Sequence, residues 1–320
     1  MGMERIAALL AFALLGPVPA HAQDPAAAPV APTAAPIAAV VDELAIGEAD
    51  LRMTVPVSIA GKGEWPFVID TGSERTVLSH ELAARLALAA GPTVRVTTMT
   101  GSVSAPTALV PLLRMRSVKA DTIEAPTFAR AHLGAIGMLG IDALQGHSVA
   151  IDFDRDRMAL KPSRRRRPAA GRGEIVIVAK SLYGQLIVTD AGWRGRKISV
   201  VVDTGSPVTI GNPAFLALAK KPPPLLGRMT VIAPSGDQLP ADVYLLDHLA
   251  IGDVTLKNAP VAIADVAPFH RFGLGDKPAL LLGMETLRMF RAVEIDFANR
   301  SIRLTLPRRP FSIGPQLAGL

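Results

Sequence analysis

Two short stretches carry acids in matched settings: Asp70-Thr71-Gly72-Ser73 and Asp203-Thr204-Gly205-Ser206. Each follows an apolar run, Phe67-Val68-Ile69 in one case and Val200-Val201-Val202 in the other. A strand of that kind crosses a core and delivers its terminal carboxyl to an inner surface. Gly72 and Gly205 allow a tight turn and a close approach of backbone to the acid. Thr71 and Thr204 can tie the two turns together through hydroxyl-to-backbone hydrogen bonds, and Ser73 and Ser206 can donate to the outer carboxylate oxygens. Two carboxyls held about 3 Å apart cannot both ionise, so they share one proton and titrate as a pair. The ionised member draws a proton from an intervening water while the protonated member polarises a carbonyl. The chemistry is amide hydrolysis by general acid–base catalysis, with no covalent intermediate, cofactor or metal.

The elements that must position these acids are themselves repeated. Six residues beyond each Ser, Ser79 and Asn212 stand as helix N-caps, predicting helices over His80–Ala89 and Pro213–Lys220 with Pro213 at the favoured first position. Thr98-Met99-Thr100-Gly101 then aligns with Ala233-Pro234-Ser235-Gly236, and Gly137–Gly140 with Leu280–Gly283. Val149-Ala-Ile-Asp-Phe153 aligns with Val293-Glu-Ile-Asp-Phe297, where Asp152 and Asp296 are expected to start turns. Short β-rich runs fill the remainder, among them Val94–Thr98, Leu109–Leu113, Ile175–Val178, Leu186–Thr189 and Val261–Ala264. Helices are expected only after each Asp-Thr-Gly and each Leu-Gly. The fold class is therefore mainly β: two homologous lobes, barrel-like, related by a pseudo-twofold axis, with few short helices.

Residues 1–22 read as a signal peptide: one Arg, an apolar run from Ile6 to Leu15, then Ala20-His21-Ala22 as a small-x-small cleavage pattern. The expected destination is the periplasm or the medium, with no integral membrane span after cleavage. Residues 23–40 form an Ala/Pro-rich spacer, 41–162 the first lobe, 163–173 a basic linker, 174–307 the second lobe and 308–320 a tail. The formal net charge of +6 is accounted for by Lys161, Arg164, Arg165, Arg166, Arg167 and Arg172, so no basic face and no nucleic-acid partner are implied. There is no Cys, and the six His form no metal-ligand pattern. A Gly-x-Ser-x-Gly elbow, a Walker loop and a dinucleotide fingerprint are all missing from the sequence.

The paired Asp-Thr-Gly-Ser stretches and the apolar-apolar-Gly triplets Met138-Leu139-Gly140 and Leu281-Leu282-Gly283 resemble the aspartic protease clan, over about residues 41–306. Two flaps, small lobes and no disulfides look more like its retropepsin branch, fused here into one chain, than like pepsin. The resemblance implies Asp70 and Asp203 as the catalytic pair. It implies that Leu139, Gly140, Leu282 and Gly283 pack beneath the catalytic loops, and that hairpin flaps tipped at Gly101 and Gly236 close over an extended peptide. It also implies a preference for hydrophobic residues around the scissile bond, in a monomer that is its own internal pseudo-dimer. Two departures stand out. No Tyr lies on the first-lobe flap, and Ile141 and Met284 stand where viral retropepsins carry an Arg. Both lobes instead show Gly-x-acid-x-Leu, with Asp142 and Glu285 as the acids. The competing expectation is an inactive, protease-shaped module that grips extended peptides by strand addition.

Overall fold

In a computed structural model, described here for residues 42–45, 47–49, 51–115, 118–165 and 169–307, both acid-bearing strands are buried at their inner ends. Strand Lys62–Ile69 ends in Phe67, Val68 and Ile69, and Arg196–Val202 ends in Val200, Val201 and Val202, all 0–3% exposed. Runs this apolar suit a strand covered on both faces. Each lies parallel to the short strand of the following triplet: Ile69 pairs with Leu139, and Val202 with Leu282. The aspartate after each strand donates its backbone N–H to that same residue, Asp70 to the Leu139 carbonyl at 2.9 Å and Asp203 to the Leu282 carbonyl at 3.0 Å.

Around each acid-bearing strand curls one sheet. The first has eight strands and folds back on itself where Arg52–Ile59 pairs with both Lys62–Ile69 and Ser102–Met115. The second is built the same way around Gln185–Trp193 and Arg196–Val202. Its interior holds Trp193 stacked on Phe215 with ring centroids 4.8 Å apart, and the indole N–H donates to the Asp247 carbonyl. An aromatic filling of this kind is among the largest single burial contributions a small lobe can have.

A third, six-stranded sheet joins the lobes, and the repeat explains it. Strands His147–Asp152 and Ala292–Asp296 carry the two copies of Val-x-Ile-Asp, and they pair antiparallel, Val149 with Ile295 and Ile151 with Val293. The pseudo-twofold axis thus passes through the Ala150–Glu294 pair. Asp42–Ala45 and Glu174–Val178 close the two edges. Asp152 Oδ1 accepts from the amides of Asp154 and Arg155, and Asp296 Oδ1 from that of Asn299, which starts the turn at each strand end. The described part of the basic linker is held against this sheet: Ser163 donates to Asp296, and Arg303 to the Ala169 carbonyl.

Six short helices are present among the described residues. Four follow the expected places, and the two after the Asp-Thr-Gly stretches are shorter than expected. His80–Arg85 stops well before Ala89, because Ala87 turns left-handed at φ 52° and a strand begins at Ala90. Pro213–Leu216 likewise ends before Lys220. Two more, Arg130–Leu133 and Ala267–Arg271, were not expected; each is a single turn, too short to show a helical period. The signal peptide, the Ala/Pro spacer and the tail expected at 1–22, 23–40 and 308–320 lie outside the described residues. Among the described residues no helix is long and apolar enough to cross a membrane.

Candidate active site

The two Asp-Thr-Gly-Ser turns meet on the axis and are locked to each other. The Thr71 amide donates to Thr204 Oγ1 at 3.1 Å, and the Thr204 amide to Thr71 Oγ1 at 3.2 Å. Each hydroxyl then donates to the strand of the other lobe, Thr71 to the Val202 carbonyl at 2.9 Å and Thr204 to the Ile69 carbonyl at 2.7 Å. Both threonines are buried, so four backbone groups that water cannot reach are satisfied by two side chains. The carboxyls that this lock positions are Asp70, half-buried, and Asp203, buried. Within each turn the glycine amide donates to its own aspartate: Gly72 to Asp70 Oδ1 at 2.9 Å, Gly205 to Asp203 Oδ1 at 3.0 Å.

Burial raises both carboxyls above the ordinary aspartate value of 3.8, and the two are hydrogen-bonded to each other. For Asp70 the charge of Asp203 adds to the burial effect. The upward push on Asp203 is opposed chiefly by the Gly205 amide, with the nearby Arg52 guanidinium a smaller downward influence. A raised, interacting pair keeps a proton to higher pH than two separate aspartates would.

One expected role is corrected. The hydroxyls of Ser73 and Ser206 do not donate to the carboxylates, although their backbone amides do; the hydroxyls donate to the carbonyls of Arg75 and Val208, each at 2.7 Å. A serine two residues before a free carbonyl closes a local turn, and the glycine amides already fill the inner positions on the acids. The triplet glycines pack against the chain that follows each acid-bearing turn. A Cβ on Gly140 would stand 2.3 Å from the Arg75 carbonyl carbon, and one on Gly283 would stand 2.2 Å from the Val208 oxygen. Only glycine permits that approach.

Overhead, Gly101 and Gly236 mark the turns of two hairpins, Ala90–Thr97 with Ser102–Met115 and Leu225–Ile232 with Gln238–Leu246. The tips touch: Thr100 Oγ1 donates to Asp237 Oδ2 at 3.1 Å. Each also reaches the opposite lobe. The Ala267 amide donates to the Met99 carbonyl at 2.9 Å, and Gly236 lies against the His132 ring.

With this geometry in view, the family comparison falls on the same halves. Residues 55–146 match the family model described as gag-polyprotein putative aspartyl protease, and residues 189–286 match the one described as aspartyl protease. The chain belongs to the retropepsin-like aspartic protease clan. Its two clan domains follow one another and correspond to the two lobes. No curated protein matches the chain.

Two residues of this clan member's site were not read from the sequence. Arg52 and Gln185 occupy the same place in the two lobes, at the start of equivalent strands, and both are buried. Arg52 donates to the carbonyls of Leu133 and Gly134, and Gln185 Nε2 to the Gly72 carbonyl at 3.1 Å. The signal was their shared register, hidden because Arg and Gln look unrelated. Asp142 accepts from the Thr76 amide at 2.9 Å and the Thr76 hydroxyl at 2.7 Å, bracing the strand that follows the first catalytic loop. Glu285, its counterpart, makes no such bond; Thr209 pairs with Thr286 instead, and burial pushes the Glu285 carboxyl up to about 7. Among the described residues no group of three or more His, Asp or Glu is placed to hold a metal.

Proposed function

We propose that this chain is an exported aspartic endopeptidase in which Asp70 and Asp203 share one proton and activate one water. The observation that supports this most is the reciprocal Thr71–Thr204 lock, which brings two raised carboxyls from different lobes into one hydrogen-bonded pair. The ionised carboxyl takes a proton from the water as its oxygen attacks the scissile carbonyl. The protonated carboxyl hydrogen-bonds the carbonyl oxygen, and a proton then passes to the leaving amine. An extended peptide lies between the catalytic loops and the two flaps, and one chain supplies the whole pair, so the working unit is a monomer. The periplasm or the medium is the proposed compartment, on the strength of the N-terminal sequence pattern.

Placing two carboxyls on a shared apolar floor costs desolvation energy that a peptide-gripping module would have no reason to bear. The test is digestion of an unstructured protein such as casein by purified chain, followed over a broad acidic-to-neutral range with and without chelator. Chelator-insensitive cleavage is expected. A folded chain that binds peptides and cuts none would replace the peptidase reading with the binding-module one.

A further inference from the structure

The two halves of the site differ in charge, and the difference lies beside one acid only. After Asp70-Thr-Gly-Ser the chain continues Glu74-Arg75; after Asp203-Thr-Gly-Ser it continues Pro207-Val208. In the flap strands Arg95 stands where the register of the Gly101 and Gly236 tips places Thr230. Arg75 and Arg95 line one cavity of about 120 Å³, together with Gly72, Gln185, Arg271 and Phe272. It opens between the first catalytic loop, the first flap and the helix Ala267–Arg271 of the other lobe.

The charges in this cavity are unbalanced. Its one carboxylate, Glu74, is taken by Arg271, whose Nε donates to Glu74 Oε1 at 2.9 Å. Arg271 is further fixed over the Tyr183 ring, 4.4 Å from its centroid. Arg75 and Arg95 are exposed, and neither side chain has an ion pair or hydrogen bond among the described residues. A second observation points to an occupant. Gln185 is 2% exposed, its Nε2 is committed to the Gly72 carbonyl, and its Oε1 has no donor among the described residues. A buried acceptor left bare is costly, and a substrate amide entering beside Gly72 would supply the missing donor.

We propose that this cavity is a subsite for an acidic substrate side chain, Asp or Glu, with Arg75 and Arg95 as the residues that select it. Guanidinium groups recognise carboxylates through paired charge-assisted hydrogen bonds, which a neutral isostere cannot match. The equivalent place beside Asp203, formed by Pro207, Val208 and Thr230, takes an uncharged side chain. Specificity is thus lopsided about the scissile bond: acidic on the Asp70 side and neutral on the other. This rests on the peptidase reading of the cleft, and it narrows the expectation of hydrophobic residues on both sides.

Binding tests the subsite independently of cleavage. The protein is the full chain carrying Asp70→Asn, and the probes are fluorescent ten-residue peptides with a single Glu moved through a neutral Gln-containing parent, followed by anisotropy at low salt. Glu at one position is expected to bind about tenfold more tightly than Gln there, and Lys at that position more weakly than Gln. Adding Arg75→Gln and Arg95→Gln should bring the Glu-to-Gln ratio to about one. A flat Glu scan, a ratio untouched by the two substitutions, or no binding of any peptide would overturn the subsite. A clear Glu preference in a chain whose wild type cuts nothing would sink the peptidase reading and leave the subsite standing.

Discussion

Gly205 faces Asp70 so closely that a Cβ placed on it would lie 2.3 Å from the Asp70 carboxyl carbon. The converse also holds, since a Cβ on Gly72 would lie 2.6 Å from that of Asp203. Each turn's glycine is therefore the floor on which the other lobe's acid rests. A methyl group at either position must displace a carboxyl. Gly205→Ala and Gly72→Ala are each expected to lower kcat by about 100-fold or more while the secondary structure persists, because misplacement of a catalytic group by about 1 Å is enough to do so. Circular dichroism beside steady-state kinetics checks this, and retained kcat would mean that the acids are not held where the turns place them.

The reciprocal threonine lock makes a stability prediction. Thr71→Val keeps the side-chain shape but removes the donor to the Val202 carbonyl and the acceptor for the Thr204 amide. Two buried backbone groups are then left bare, at about 1–3 kcal/mol each, so a loss of about 2–6 kcal/mol is expected in urea unfolding. Thr204→Val should cost a similar amount. Thr71→Ser, which keeps the hydroxyl, should recover most of it.

Glu285 gives the fold its own pH signature. Its carboxyl is pushed from an ordinary 4.5 up to about 7, with burial as the cause. Between those values the unfolded chain has released the proton that the folded chain still holds. Stability therefore falls as pH rises from 4.5, and the loss is complete above about 7. Glu285→Gln should raise the melting temperature at pH 8 and leave it nearly unchanged at pH 4. Equal melting-temperature shifts at the two pH values would contradict this account of Glu285.

The acid pair should behave in the same direction. Both carboxyls are raised above 3.8, so the folded pair holds a proton that the unfolded chain loses earlier. Catalysis needs that shared proton, and kcat should fall on the alkaline side as pH rises through the pair's elevated value. The same burial makes the pair a burden on the fold at neutral pH. Asp70→Asn is expected to melt higher than wild type at pH 7 and to show a smaller difference at pH 3. A melting temperature lowered equally at both pH values would show that Asp70 is structural.

Much of this was legible because the chain repeats itself. One copy of Asp-Thr-Gly-Ser could be any capped turn, whereas two copies with matched Val-x-Ile-Asp and Leu-Gly segments require a common architecture. The joining sheet was not legible, because the pairing of Val149 with Ile295 links segments far apart in the chain, and nothing local encodes it. Ser73 and Ser206 were misassigned for a related reason: composition gives a hydroxyl's reach but not which acceptor is nearer, and the Arg75 and Val208 carbonyls are. Arg52 and Gln185 escaped notice because their equivalence is positional and their chemistry differs. The single-turn helices at Arg130–Leu133 and Ala267–Arg271 are set by packing and by Pro268, with too few residues to imprint a period.

The central claim is that two acids from different lobes form one catalytic unit, and single isosteric substitutions test it most directly. Asp70→Asn and Asp203→Asn, each confirmed as folded, should be assayed on the same unstructured substrate as wild type. Each alone should lower kcat/KM by about 100- to 10,000-fold, and the double variant should fall little further, because half a pair cannot both take a proton from water and polarise the carbonyl. Substantial cleavage by either single variant would contradict the shared-pair account and place the chemistry elsewhere in the chain.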